Sequence, residues 1–369
     1  MFVLTNEQRP CFGLSPVQPG WKRIDIKPSP YDSFNTVAYV DEGMVLRKAI
    51  CSGKDIYQEM EYREQLSEDG SLLLPQTEKG KPVKLSSSTL LKRIPVGMGL
   101  RYSRKHISLG NYISNQYYYR SDHEVLTLNT IDDFSIWVEK WCAESSSDDL
   151  EEVAVFARRK RIHCKYREGD FFRFRLNRRL YGYGRILVDY VTMRRNKQPF
   201  WDILMTTPLA VCVYPVISEN KDVSPEELAR LTPLPSQYMA DNPLFYGTYE
   251  IIGNLPFEEE PDCPIMYGAG LSISDPNDAV FFQRGKTFIR LDGQSPLFRG
   301  FTNNGVSISL NVLLPDLENC VRQGSNDPYW YSPYRSYYQD KDLRHPKNRA
   351  KLEAVYAQLG IPFPPLDEK

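Results

Sequence analysis

The chain has 369 residues, a length that favours two domains, each able to bury a core of its own. A formal net charge of -1 argues against whole-molecule attraction to nucleic acid or to a membrane. The seven cysteines (Cys11, Cys51, Cys142, Cys164, Cys212, Cys263 and Cys320) are odd in number, scattered and without a CxxC pair. That pattern suggests neither a disulfide framework nor a zinc site, and favours buried free thiols in a reducing compartment.

The opening residues, MFVLTNEQRP, carry no apolar core of signal-peptide length. The longest apolar run, 208–217, is far short of the roughly twenty residues that a membrane-spanning helix needs. A cytoplasmic location is expected. Residues 1–128 read as mostly β, because 21–26, 36–40, 44–50 and 56–66 alternate or run apolar for strand length between breaks such as Asp41-Glu42-Gly43 and Glu68-Asp69-Gly70. A polar loop follows at 77–84, with Lys79, Lys81 and Lys84 in a solvated turn, then a short serine-capped helix at 86–93. Strand composition returns at 99–102 and 112–119.

Between about 130 and 162 the period changes. Thr130 precedes Ile131, Phe134, Trp137, Val138 and Trp141 at helical spacing, with Asp132 and Asp133 in the first turn, where the helix dipole favours acids. Residues 144–149 interrupt the pattern, and a second helix is expected from Leu150 to about Arg161.

The stretch around which the chain is organised is REGDFFRFRLNRRLYGYGRILVDY, 167–190. Two period-two runs, 171–176 and 180–188, flank Asn177, Arg178 and Arg179 at hairpin-loop length, with Gly169-Asp170 supplying turn chemistry just before. Gly182 and Gly184 inside the second strand weaken it and predict a bend, a bulge or a close approach of another backbone, features that would curl a small sheet. A phosphate cradle is disfavoured, because such glycines open a helix and these alternate with tyrosines. The positions Gly169, Asp170, Phe172, Gly182, Tyr183, Gly184 and Arg185 resemble the opening of the bacterial immunity 26 family, a Gly-Asp followed by an apolar strand and a Gly-Tyr-Gly-Arg strand. The resemblance extends over about 163–315. It implies an antidote that neutralises a polymorphic toxin by binding it, with the toxin encoded by an adjacent gene.

Beyond the hairpin, 192–197 reads as a basic turn, 200–205 as one helical turn and 209–216 as a buried strand. Ser224-Pro225-Glu226-Glu227 is a strong start signal for a helix over 225–231. Strands are expected at 245–252, 279–282, 287–291 and 306–310, and a helix at 315–322. The segment 327–339, DPYWYSPYRSYYQ, holds one Trp and five Tyr around two prolines, which exclude a regular helix or central strand; a helix follows over 346–359.

Catalytic constellations are thin. His106, His123, His163 and His345 lie far apart, no HExxH, GxSxG, Walker or dinucleotide signature occurs, and His163-Cys164 in a strand would point to opposite faces. No catalytic residue, metal or cofactor is assigned. The rival reading is a nucleic-acid platform over 158–197, where fourteen Lys and Arg stand against Glu168, Asp170 and Asp189 with aromatics interleaved. A hydrolytic site made of carboxylates distant in sequence is a second alternative.

The expected fold class is α+β: two β-rich domains joined by a helical pair, the second a strongly curved antiparallel sheet. The expected divisions are an N-terminal domain at 1–128, a helical connector at 129–162, an immunity-26-like domain at 163–325, and an aromatic arm with a C-terminal helix at 326–369. The expected function is stoichiometric occlusion of a cognate toxin. Its anchors would be Trp330, Tyr331, Tyr334, Arg335 and Tyr338, with the acidic loop Glu258, Glu259 and Glu260 as the alternative contact.

Overall fold

The alternating segments in the first third of the chain form one sheet. The computed structural model describes every residue except 29, 31, 75, 201–207, 270–278, 293–294, 296, 298–309, 335–339 and 362–369. The chain divides into two units, Met1–His163 and Cys164–Lys369.

In the first unit, β1 (Lys22–Ile26), β2 (Phe34–Val40), β3 (Val45–Gly53), β4 (Ile56–Gln65), β5 (Met98–Ser103), β6 (His106–Asn111) and β7 (Gln116–Arg120) lie side by side in chain order. Every neighbouring pair is antiparallel. The expected strand at 112–119 is instead a turn through Asn115, at φ 58, leading into β7. Helix α1 (Ser87–Leu91) starts where Ser86 accepts the Thr89 amide.

Helices α2 (Ile131–Ala143) and α3 (Ser147–Ala157) cover this sheet. Each begins with a reciprocal capping box, Thr130 with Asp133 and Ser146 with Asp149. Their inward residues Phe134, Val138, Trp141, Val153 and Phe156 join Tyr57, Leu100, Tyr102, Ile107 and Leu109 in one core, and Phe134 stacks on Tyr102 at 4.6 Å. The helical pair is therefore part of the first unit's own core and not a joint between two β-rich parts. Ala49 and Ile50, adjacent on β3, enter different clusters, so both faces of the sheet are buried.

A charged network lies inside this unit. A 3-10 turn at Arg9–Phe12 brings Arg9 to Glu59 of β4, with Arg9 Nε donating to Glu59 Oε1 at 2.8 Å. Lys48 Nζ donates to the same oxygen at 2.7 Å, and the Tyr57 hydroxyl donates to Glu59 Oε2 at 2.6 Å. Lys48 and Glu59 have no exposed side-chain surface. Trp141 Nε1 donates to the Cys11 carbonyl at 3.1 Å, fastening the same N-terminal segment a second time.

The second unit holds two sheets. In the first, β8 (Asp170–Arg175), β9 (Tyr181–Asp189), β10 (Pro208–Val213), β11 (Gln237–Ala240) and β12 (Glu250–Asn254) take the order β11-β10-β9-β8-β12. In the second, β13 (Ile265–Ala269), β14 (Ala279–Arg284) and β15 (Thr287–Asp292) form a meander. One face of the five-stranded sheet packs on α7 (Leu314–Gln323) and α8 (Asp327–Trp330), through Phe172, Phe174, Val211, Leu317 and Trp330. The other face meets Met266 and Phe281 of the three-stranded sheet. That sheet in turn buries Tyr267 and Phe282 against Val355 and Tyr356 of α9 (Arg349–Leu359).

The expected single, strongly curved sheet is thus overturned: the strands of this unit fall into two separate antiparallel sheets, none closed or strongly curved. Alternation along β14 explains the arrangement, because Val280 and Phe282 serve one layer while Phe281 serves the other. Three shorter helices are α4 (Tyr190–Arg195), α5 (Pro225–Ala229) and α6 (Asn242–Phe245). Helix α4 replaces the start of the basic turn expected at 192–197, and α6 with β12 replaces the single strand expected at 245–252. The expectations for 201–205 and 306–309 lie outside the described residues.

Candidate partner-binding surface

The hairpin β8–β9 is the frame of the candidate surface. Its register pairs Phe172 with Gly184 and Phe174 with Gly182. A Cβ on Gly184 would stand 2.4 Å from the Phe172 ring, and one on Gly182 would stand 2.6 Å from the Phe174 ring. The glycines thus provide flat seats on which the two phenylalanine rings lie across the neighbouring strand, and Tyr249 stacks on Phe172 at 5.7 Å. Gly184 also admits the Cys212 backbone carbonyl of β10, 2.6 Å from where a Cβ would stand, which is the close approach of another backbone expected from the sequence.

Gly169 and Asp170 fasten the hairpin to β12. Gly169 sits at φ +87, in the left-handed region that glycine tolerates, and a Cβ there would meet the Leu255 carbonyl at 2.5 Å. The buried Asp170 carboxylate accepts the Asn254 amide at 2.8 Å and the Arg167 backbone N–H at 2.9 Å. Tyr183 donates its hydroxyl to the Asn220 carbonyl at 2.8 Å.

Arg185 closes the frame. Its guanidinium carbon lies 4.6 Å from the centre of the Phe171 ring and 4.0 Å from that of Phe257. Its Nη2 donates to the carbonyls of Leu255 at 2.6 Å and Pro256 at 3.1 Å. The next residues, Glu258, Glu259 and Glu260, are all exposed. Downstream, the Asp262 carboxylate accepts Arg344 Nη1 at 2.9 Å.

Residues 167–278 match the family Immunity protein 26. The immunity protein 26 segment lies inside the span of about 163–315 that the motif implies, and it includes every motif position from Gly169 to Arg185 together with Glu258, Glu259 and Glu260. No curated protein and no solved structure matches the chain. Within the segment, Gly169, Asp170, Phe172, Gly182, Tyr183, Gly184 and Arg185 pack, turn or clamp.

The proposed aromatic anchors are placed unequally. Tyr331 and Tyr334 are 56% and 49% exposed, whereas Trp330 is 9% exposed and belongs to the core beneath the five-stranded sheet. The Lys347 backbone N–H donates to His345 Nδ1, so the ring's proton sits on Nε2 and is donated to the Trp330 carbonyl at 3.1 Å. This buried histidine holds the backbone from which Tyr331 projects, and its ring stands 5.3 Å from that of Tyr331. Arg335 and Tyr338 lie outside the described residues.

The basic stretch is divided between the two units. Arg158 to Arg161 lie in the first unit, and from Arg167 onward the cations belong to the second. Arg173, Arg175 and Lys221 surround the Tyr181 ring at 5.5, 5.1 and 5.4 Å. Arg173 also pairs with Glu250 and donates to the Lys221 carbonyl. Strand alternation does place Arg173 and Arg175 on one face, and that face is half-buried by stacking.

No group of three His, Cys, Asp or Glu among the described residues is placed to hold a metal ion. Burial pushes the thiols of Cys212 and Cys263 up to about 12, the opposite of what a thiolate nucleophile requires. His163 and Cys164 lie outside any strand. No helix among the described residues is long and apolar enough to cross a membrane.

The role of Arg185 has no local sequence signal beyond its being the one charged member of a Gly-Tyr-Gly-Arg run. Its carbonyl partners are 70 and 71 positions away.

Proposed function

We propose that the protein is an immunity protein that neutralises a cognate protein toxin, encoded by an adjacent gene, by stoichiometric binding that covers the toxin's active site or substrate path. The observation that carries this reading is the match of residues 167–278 to Immunity protein 26, in a segment whose motif residues frame an exposed acidic loop. The contact surfaces proposed are Glu258, Glu259 and Glu260, together with the exposed rings of Tyr331 and Tyr334. Tyrosines dominate interface hot spots, and complementary charge speeds docking on a cationic toxin face. No turnover and no cofactor are involved.

Co-expression with the neighbouring toxin gene is expected to restore growth, and titration of the purified proteins to saturate near one to one. Replacing Tyr331 and Tyr334 together by Ala is expected to weaken the complex by about 2 kcal/mol or more, as measured by calorimetry. Rescue at strongly substoichiometric amounts would replace binding by catalysis as the mechanism. An undiminished affinity of the double variant would remove the tyrosines from the contact.

A further inference from the structure

Arg185 does more than pack. Among the described residues, no carboxylate forms an ion pair with it: the guanidinium carbon lies over the Phe171 and Phe257 rings, and one nitrogen, Nη2, reaches two backbone carbonyls. The two carbonyls belong to Leu255 and Pro256, which Phe257 alone separates from the exposed acidic run. The same backbone is met from the other side by Gly169, whose carbonyl accepts the Leu255 N–H at 3.3 Å. The far end of the loop is tied as well, by Arg344 at Asp262 and by the Tyr238 hydroxyl, which donates to the Pro264 carbonyl at 3.0 Å. Pro256, Pro261 and Pro264 further restrict the segment. The three glutamates therefore project from a loop held at both ends.

We infer that Arg185 is a positioning residue for partner recognition: it fixes the backbone of Leu255 to Phe257, so that Glu258, Glu259 and Glu260 meet a cationic protein face without first being ordered. The inference rests on the reading of that loop as a toxin contact. A contact loop ordered in advance avoids most of the entropy lost on association, and the gain appears as affinity. Arginine suits this place because its guanidinium covers the Phe171 and Phe257 rings while Nη2 donates to both carbonyls; the ammonium of lysine keeps the charge and loses the planar surface.

The test uses the full chain carrying Arg185→Lys or Arg185→Met. Two readouts are compared: cleavage of the native protein by a Glu-specific endoprotease at Glu258 and Glu259, and affinity for the catalytically inactivated product of the neighbouring toxin gene. Both variants are expected to be cut about tenfold faster at the loop and to bind about tenfold more weakly, while Arg185→Lys keeps the melting transition cooperative. The triple variant E258Q/E259Q/E260Q separates clamp from contact. It is expected to lose affinity, and the Leu255 amide is expected to keep its hydrogen-exchange protection.

Loop cleavage unchanged in both Arg185 variants would overturn the clamp. Faster cleavage with undiminished affinity, in a protein whose triple variant binds weakly, would overturn positioning while leaving the contact in place. Undiminished binding by the triple variant would overturn the contact itself, and with it the role of Arg185 in recognition.

Discussion

Replacing Glu59 by Gln is expected to destabilise the first unit by about 3–5 kcal/mol, because it strips the counter-charge from two buried cations. Arg9 is 3% exposed and Lys48 is fully enclosed, and both donate to Glu59 Oε1. Among the described residues, the one carboxylate left beside Lys48 would be Glu61, at 3.6 Å. Urea unfolding of the full chain measures the effect, and a loss below about 1 kcal/mol would show that the site relaxes or admits water. Burial raises the pKa of the Glu59 carboxyl, but the charges of Lys48 and Arg9 outweigh it and hold the group below its ordinary value. A carboxyl depressed on folding contributes stability that is complete above its unfolded pKa, about 4.3, and is lost as pH falls through the folded value. Glu59→Gln should therefore flatten the acid limb of the stability curve as well as lower its plateau.

Gly184→Ala is expected to cost about 2–3 kcal/mol, and Gly182→Ala less, although the two glycines look equivalent along β9. A Cβ at Gly184 would meet both the Phe172 ring at 2.4 Å and the Cys212 backbone carbonyl of β10 at 2.6 Å. At Gly182 the nearest atoms all belong to the Phe174 ring. A ring can tilt, whereas a carbonyl inside a sheet cannot move without its strand. Thermal melts of the two single variants and of Phe172→Leu/Gly184→Ala measure the difference. The smaller side chain should recover only part of the loss, since the carbonyl clash persists. Equal melting of Gly184→Ala and the native protein would mean that β9 and β10 separate there without penalty.

Much of the local structure was legible. Thr130 followed by two aspartates and an apolar helical stripe marks α2, Ser224-Pro225-Glu226-Glu227 marks α5, and the alternation around Asn177 marks the β8–β9 hairpin. The start of α3 was hidden because its cap, Ser146, sits in a serine–aspartate run that reads as a break. Strand β6, HISLGN, was missed because it offers only two large apolar residues. Partners distant in sequence left no local trace. Nothing in IYQEMEYREQ marks Glu59 as fully enclosed, since its partners Arg9 and Lys48 arrive from 50 and 11 positions away. In the same way the aromatic run at 327–339 does not reveal that Trp330 turns inward while Tyr331 turns out.

The family similarity ends at residue 278, and the three-stranded sheet does not. β13 lies inside the matched segment, while β14, the strand that hydrogen-bonds to it, and β15 lie beyond. Beneath them α9 supplies Val355 and Tyr356 to the outer core layer. The matched segment and the three-stranded sheet thus cover different lengths of chain. A fragment trimmed to the similarity would leave β13 without a neighbour, its polar backbone open to pairing with other copies, and the layer formed by Met266 and Phe281 half missing. The core of this unit draws on residues as far along the chain as Val355 and Tyr356.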